Sequence, residues 1–447
     1  MSDDPSGGAG AADGAERGGE PDPDELKPPE PYPRGLARIR RHVIDLSPLR
    51  ISREFRLLFL GQAVSDLGSE ITFVAIPFQV FRLTGSTLAV GLLGLCDLVP
   101  LLVTPVVGGA LADALERRRM VIVSHAILTL LSVGLVVNAA SAHPKLWVLY
   151  VFATLNAALY GLYSPAVRAW PARLIDRELL PSAFALETAY YNLDALVGPA
   201  VGGILLATVQ PAGAYAVDVA TFFVALVCLW MMQPSPPADD DAKVSFAAIK
   251  DGFRFLKGKR VLQSTYTVDL NAMIFGMPTA LFPAVAVRLG IGPGLLGLLY
   301  AAPAAGSLAA TLFSGSAKRV RRQGRAILVA VAVWGAAMVA FGLSTTLWLS
   351  LLFLAVAGAG DMVSGIFRTS IAQSVVSDDM RGRLEGMGLT VWATGPALGD
   401  VEAGVVASAV SVPFSIVSGG LACLVGVAVI AAAVPEFRAY DARNPTA

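Results

Sequence analysis

Long apolar runs follow one another along most of this chain, parted by a few polar residues, glycine or proline. They fall at about 57–81, 87–112, 120–141, 146–168, 183–208, 212–233, 262–287, 294–316, 326–344, 347–374, 386–409 and 412–434. Each is near the roughly 20 residues a helix needs to cross the hydrocarbon core. They are too long and too uniformly apolar for the ten-residue alternation of a membrane barrel. Composition agrees: 55% of the 447 residues are hydrophobic and 15% charged, against about 25% charged in soluble domains. The expected class is an all-α membrane protein with twelve transmembrane helices. An ordinary soluble or disordered chain is excluded.

Lys and Arg residues set the expected orientation. One alternate set of loops holds Arg117–Arg119, then Arg168, Arg173 and Arg177, then Lys243, Lys250, Arg254, Lys257, Lys259 and Arg260. It continues with Lys318, Arg319, Arg321, Arg322 and Arg325, then Arg381 and Arg383, whereas the opposite loops hold Arg82, Lys145 and Arg288. The positive-inside rule puts the first set, and both termini, in the cytoplasm of a cell-membrane protein. Residues 1–53 read as a disordered tail, acidic to about residue 30 and basic from Arg34. The early acids do not fit a signal peptide, and the basic stretch suits an anionic lipid surface.

Residues 54–233 and 262–434 form two expected six-helix bundles, with a tail at 435–447. Between them lies a linker, 234–261, in which Phe246, Ile249, Phe253 and Leu256 recur at helical spacing. That spacing predicts a short amphipathic surface helix. The halves share a register. Gly91-Leu-Leu-Gly-Leu95 recurs as Gly294-Leu-Leu-Gly-Leu298, Pro100 pairs with Pro303, and Asp66-Leu67 falls on Asp269-Leu270. Parallel repeats about an axis normal to the membrane are a known transporter architecture.

Gly109-Ala-Leu-Ala-Asp113 followed by Arg117–Arg119 resembles the signature loop of the major facilitator superfamily, with Ala114 and Glu116 departing from its pattern. Gly198-Pro199-Ala-Val-Gly202-Gly203 is similar to the core of that superfamily's exporter motif, although its upstream glycines are replaced by Ala185 and Asp194. Further stretches between residues 52 and 438, such as Ser65–Ser69, Leu83–Ser86, Ser164–Arg168 and Gly360–Met362, resemble the subgroup of bacterial siderophore (enterobactin-type) and drug exporters. The resemblance implies two six-helix repeats, a small-molecule substrate, proton antiport and a monomer in the bilayer. An importer of the same fold, or a non-transporting sensor, stays open as the alternative.

An ionisable residue at mid-bilayer costs about 2.5–3.5 kcal/mol on insertion scales, so each needs a reason. Asp66 and Glu70 lie one turn apart on one helix face. Such acids either couple transport to protons or bond neighbouring helices. The resemblance has the first, fourth, seventh and tenth helices line the cavity, bringing Asp66, Glu70, Asn156, Asp269, Asn271, Asp361 and Arg368 toward it. Asp361 and Arg368 are also spaced to pair with each other. The resemblance sets the second and eleventh helices face to face between the halves, where Asp97, Asp400 and Glu402 are proton sites or gating groups. It gives Gly109, Asp113, Arg117 and Arg118 a gating role, and Gly198, Pro199, Gly202 and Gly203 a bend or a close helix contact. Asp194 and Asp218 read as packing groups, and Cys96, Cys228, Cys423 and His125 as core. No P-loop, HExxH, GxSxG or Cys/His cluster is present. No enzyme, metal, cofactor or nucleic-acid partner is expected.

Overall fold

The computed structural model describes residues 45–234, 254, 256–312, 315, 320–375 and 378–441, with the backbone alone at 113–114, 375, 378–387 and 389–390. The long helices are α1 (Arg53–Thr84), α2 (Thr87–Ala114), α3 (Arg117–Ala140), α4 (Leu146–Ala169), α5 (Leu180–Thr208) and α6 (Gln210–Met231). They continue as α7 (Arg260–Gly276), α8 (Pro293–Leu312), α9 (Gln323–Leu343), α10 (Leu347–Val375), α11 (Asp378–Ala409) and α12 (Val412–Ala433). Eleven helices among the described residues are long and apolar enough to cross a membrane; α11 is not among them. No strand occurs among the described residues. The amphipathic linker residues Phe246, Ile249 and Phe253 lie outside the described residues.

Local chemistry explains the helix boundaries. Ser52, Ser86 and Ser411 each accept a hydrogen bond from the amide three residues on, capping α1, α2 and α12. Gly85 ends α1 at φ +63°, a left-handed conformation that costs glycine nothing. Short helices at Ser47–Ile51, Pro171–Leu174 and Pro435–Ala439 turn the chain beside the long ones.

One long run departs from the expected continuous helix. The seventh is α7 followed by a break, then a tight turn at Thr279–Leu281 and a helix at Phe282–Arg288. Pro278 has no amide hydrogen to continue the ladder. Side chains of other helices bond carbonyls at the break: Trp334 Nε1 donates to the Gly276 carbonyl at 2.8 Å and Tyr300 Oη to the Thr279 carbonyl at 3.3 Å. Such partners make a broken helix tolerable at membrane depth.

In the first half α1 packs on α5 and α6, α2 on α4, and α3 on α4 and α6. In the second, α8 packs on α10, α9 on α10 and α12, and α7 on α11 and α12. The halves join chiefly through α2 with α11 and α5 with α8. The repeated Gly-Leu-Leu-Gly segments form these two seams. A Cβ at Gly91 would stand 2.5 Å from the Asp400 carbonyl oxygen, and one at Gly94 2.5 Å from that of Ala397. A Cβ at Gly203 would stand 2.8 Å from the Gly297 amide nitrogen and 2.9 Å from the Gly294 carbonyl oxygen. Helices without an aqueous hydrophobic drive associate through such close backbone packing.

Candidate functional site

Two chambers lie inside the helix bundle and share the walls Ser69, Glu70 and Asn156. The larger, about 510 Å³, is lined by Asp66, Glu70, Arg168, Glu187 and Asp194 among aromatic groups that include Phe55, Phe59, Tyr160, Tyr190, Tyr191 and Trp392. That volume is within the range of small-molecule sites. The smaller, about 240 Å³, reaches the seams and is lined by Glu70, Phe73, Asp97, Asp218, Thr279, Tyr300 and Asp400.

The helical period places the carboxylates. Asp66, Ser69 and Glu70 share one face of α1. Opposite them, Tyr190, Asp194, Gly198 and Gly202 recur every four residues along α5. Tyr190 Oη donates to Asp66 Oδ2 at 3.0 Å, and its ring lies edge-on to Phe59 with centroids 5.2 Å apart. A Cβ at Gly198 would overlap Glu70, and one at Gly202 would stand 3.2 Å from the Ile71 Cα. The exporter-type motif thus has two contact faces. Gly198 and Gly202 bring α5 onto α1, while Gly203 and the Pro199 carbonyl meet Gly297 of α8. Asp194 and Tyr190 belong to the larger chamber and were not singled out by sequence as site residues. Their four-residue spacing from Gly198 was the available signal.

Asp400 projects from α11 to the break after α7. Its Oδ1 accepts from Thr279 Oγ1 at 2.6 Å and from the Ala280 amide at 2.8 Å, so it caps the resumed helix. Asp97 and Asp400 line the same chamber. Glu402 is half-buried and lines neither chamber.

In the second half Arg368 is held between two acids: it pairs with Asp269 through Nη1 and approaches Asp361 Oδ1 at 3.5 Å through Nη2. Sequence spacing foresaw the Asp361 contact; the pairing with Asp269 is set by the approach of α7 to α10. Asn271 turns away from the chambers, its Nδ2 donating to the Cys423 carbonyl of α12 at 3.0 Å. Gly426 leaves room for it. Asp269, Asp361 and Arg368, which the resemblance brought toward the cavity with Asn271, likewise line neither chamber. Two residues along a helix is about 200° of turn, so Asn271 leaves α7 away from Asp269.

The signature loop binds helix ends within its own half. Arg117 Nη1 donates to the Ala169 carbonyl at 3.1 Å, at the end of α4. Arg118 donates through Nε to the Leu229 carbonyl at 2.9 Å and through Nη2 to the Trp230 carbonyl at 2.7 Å, at the end of α6. Cations there satisfy the last carbonyls and complement the helix dipole. Gly109 is buried in α2, and the Asp113 side chain lies outside the described residues. His125 is fully buried between Tyr163 and Phe222, with ring centroids 4.9 and 5.9 Å away. No group of three or more His, Cys, Asp or Glu among the described residues is placed to hold a metal ion.

The larger chamber lies within the first half except for Trp392 of α11, and the smaller lies between the halves. The long apolar helices make this a multi-pass membrane protein, and the proteins it resembles are small-molecule transporters rather than enzymes. Residues 44–446 match the profile described as transmembrane secretion effector. The chain belongs to that family, within the major facilitator superfamily. The enterobactin exporter EntS of Citrobacter koseri is 28% identical over 357 residues, which cover 80% of this chain and 86% of that one. The enterobactin exporter of Shigella flexneri matches at the same identity and coverage. Among solved structures, the nucleoside transporter NupG superposes with TM-score 0.69 at 13% identity, covering 85% of this chain and 99% of its own. An inward-facing bacterial homolog of the human lysosomal transporter Spinster does so with TM-score 0.67 at 14% identity, covering 86% and 96%. At these identities the structural likeness concerns the fold alone.

Proposed function

We propose that this protein exports a small amphiphile, a siderophore or drug-like natural product, by alternating access driven by proton antiport. The observation that carries the reading is the cluster of Asp66, Glu70, Asp194 and Glu187 on the larger chamber, faced among its described walls by a single base, Arg168. A carboxylate in a low-dielectric chamber is a natural proton carrier. One proton moving down 100 mV supplies about 2.3 kcal/mol, enough for roughly fifty-fold accumulation. Acidic groups among aromatic faces suit a polar or cationic head on an apolar body. The relatives named as enterobactin exporters support the outward direction and a siderophore-sized cargo.

In this reading both termini are cytoplasmic, α11 also crosses and makes twelve spans in all, and a monomer rocks as two bundles, 54–233 and 262–434. The larger chamber opens toward the helix ends at Phe55 and Arg168, and the glycine seams close the opposite end. The test is uptake of a fluorescent lipophilic cation into inside-out vesicles carrying the purified protein under an imposed proton gradient. Asp66→Asn should abolish gradient-driven uptake and leave cargo-bound protein detectable. Unaltered proton dependence in a combined Asp66→Asn, Glu70→Gln and Asp194→Asn variant rejects antiport through this cluster.

A further inference from the structure

A groove separate from the chambers runs along the outer surface between α9 and α10. It encloses about 680 Å³. Its floor is made of small residues, Ala326 and Ala330 from α9 and Ala359 and Gly360 from α10. A Cβ at Gly360 would come within 2.8 Å of the Ala330 carbonyl oxygen, so the two backbones lie close and the cleft stays shallow-floored and narrow. Valines form the rims, with Val329 56% exposed and Val333 43%. The groove has charge at one end only. Arg322, the residue that precedes α9, and Arg325 in its first turn are both exposed there and line it. The Arg322 backbone is fixed by pairing with Asp441.

Length identifies the occupant. From Arg322 to Val333 is roughly 16 Å at 1.5 Å per residue, about half of a hydrocarbon core near 30 Å thick. The groove therefore runs from a headgroup level to the bilayer midplane, one leaflet deep, with its two bases at the headgroup end. Guanidinium groups bind phosphate oxygens in paired hydrogen bonds. An apolar slot one leaflet long with a cationic mouth matches a lipid tail beneath an anionic headgroup. It does not match an extended peptide, whose backbone would be left without partners against alanine and valine, and a slot floored by Ala326, Ala330, Ala359 and Gly360 is narrower than the roughly 10 Å breadth of a helix. We propose that this groove is a binding site for an anionic phospholipid, with one acyl chain lying between α9 and α10 and its phosphate held by Arg322 and Arg325. Each base near a membrane surface is worth about a five-fold preference for anionic lipid, so the pair should give roughly thirty-fold.

The test is native mass spectrometry of the full chain released from nanodiscs of mixed phosphatidylglycerol and phosphatidylcholine. Retention of phosphatidylglycerol should exceed that of phosphatidylcholine by roughly thirty-fold. Arg322→Gln with Arg325→Gln should bring the ratio near one, with total bound lipid little changed. Ala359→Leu, which narrows the slot while keeping both bases, should lower retention of both lipids. Equal retention in the unaltered protein overturns the site, as does selectivity that survives loss of both arginines. Displacement of the lipid by millimolar inorganic phosphate also overturns it, since a headgroup site without a chain groove would then suffice.

Discussion

Gly198 of α5 presses directly on Glu70 of α1, and a methyl group added at position 198 would overlap the Glu70 Cβ. The exporter-type glycine and the chamber carboxylate are therefore one packed unit. Overpacking a tight contact costs about 1–3 kcal/mol. Gly198→Ala should lower the melting temperature in detergent and weaken cargo binding. Adding Glu70→Gly, which removes the clashing carbon, should restore stability. A double-mutant cycle is expected to give a coupling of about 0.5–3 kcal/mol, and strict additivity would show that the two residues do not press on each other in solution.

The seam between α5 and α8 depends on Gly203 and Gly297 having no side chains. Gly297→Leu should force it apart and disfavour the closed arrangement of that end. Spin labels at Val209 and Leu295 report this, with a longer mean distance in the variant. Transport should fall by at least ten-fold, which is about 1.4 kcal/mol. An unchanged distance distribution would show that the seam tolerates a side chain.

Asp400 holds the resumed helix after Pro278 through Thr279 and Ala280. Charge-assisted hydrogen bonds of this sort are worth about 1.5–3 kcal/mol. Asp400→Ala should destabilise the protein by about that much, and Thr279→Val by less, because the Ala280 amide still reaches the carboxylate. Thermal unfolding of both variants in the same detergent ranks them, and equal losses would contradict the two-donor cap.

Arg368 lies between Asp269 and Asp361 with little solvent. Removing one member of a fully buried ionic group costs about 3–5 kcal/mol. Asp361 keeps 42% of its side chain exposed, so water recovers part of that. Arg368→Gln should cost about 2 kcal/mol, below the fully buried range. The Arg368→Gln, Asp269→Asn pair should be more stable than Arg368→Gln alone. Chemical denaturation in micelles measures both. No recovery in the double variant would mean that Asp269 does not depend on the arginine.

Much of the architecture was written in the order of residues. Hydrophobic run length and the punctuation by Ser, Gly and Pro located most of the long helices to within a few residues, but missed the break after Gly276 and set the start of α11 eight residues late, at 386 instead of Asp378. Run length and punctuation are local, and local chemistry decides them. Contact between distant segments is not local. Gly91 and Gly294, matched by their offset, both lie at close contacts between helices of the two parts of the chain. Nothing in the spacing of Gly91 and Gly294 says that both copies would become the joints between halves. The break at Pro278 was not foreseen within the run 262–287, and the groups that accommodate it come from Tyr300, Trp334 and Asp400, on three other helices. Asp194 read as packing because its neighbours on α1 are more than a hundred positions away. Asn271 faces α12 because helical rotation turns it from Asp269. Sequence fixes which side of a helix a residue occupies relative to its neighbours along that helix. Which face meets a chamber, a partner or lipid is decided when the helices assemble, because burial and charge pairing are properties of several helices at once.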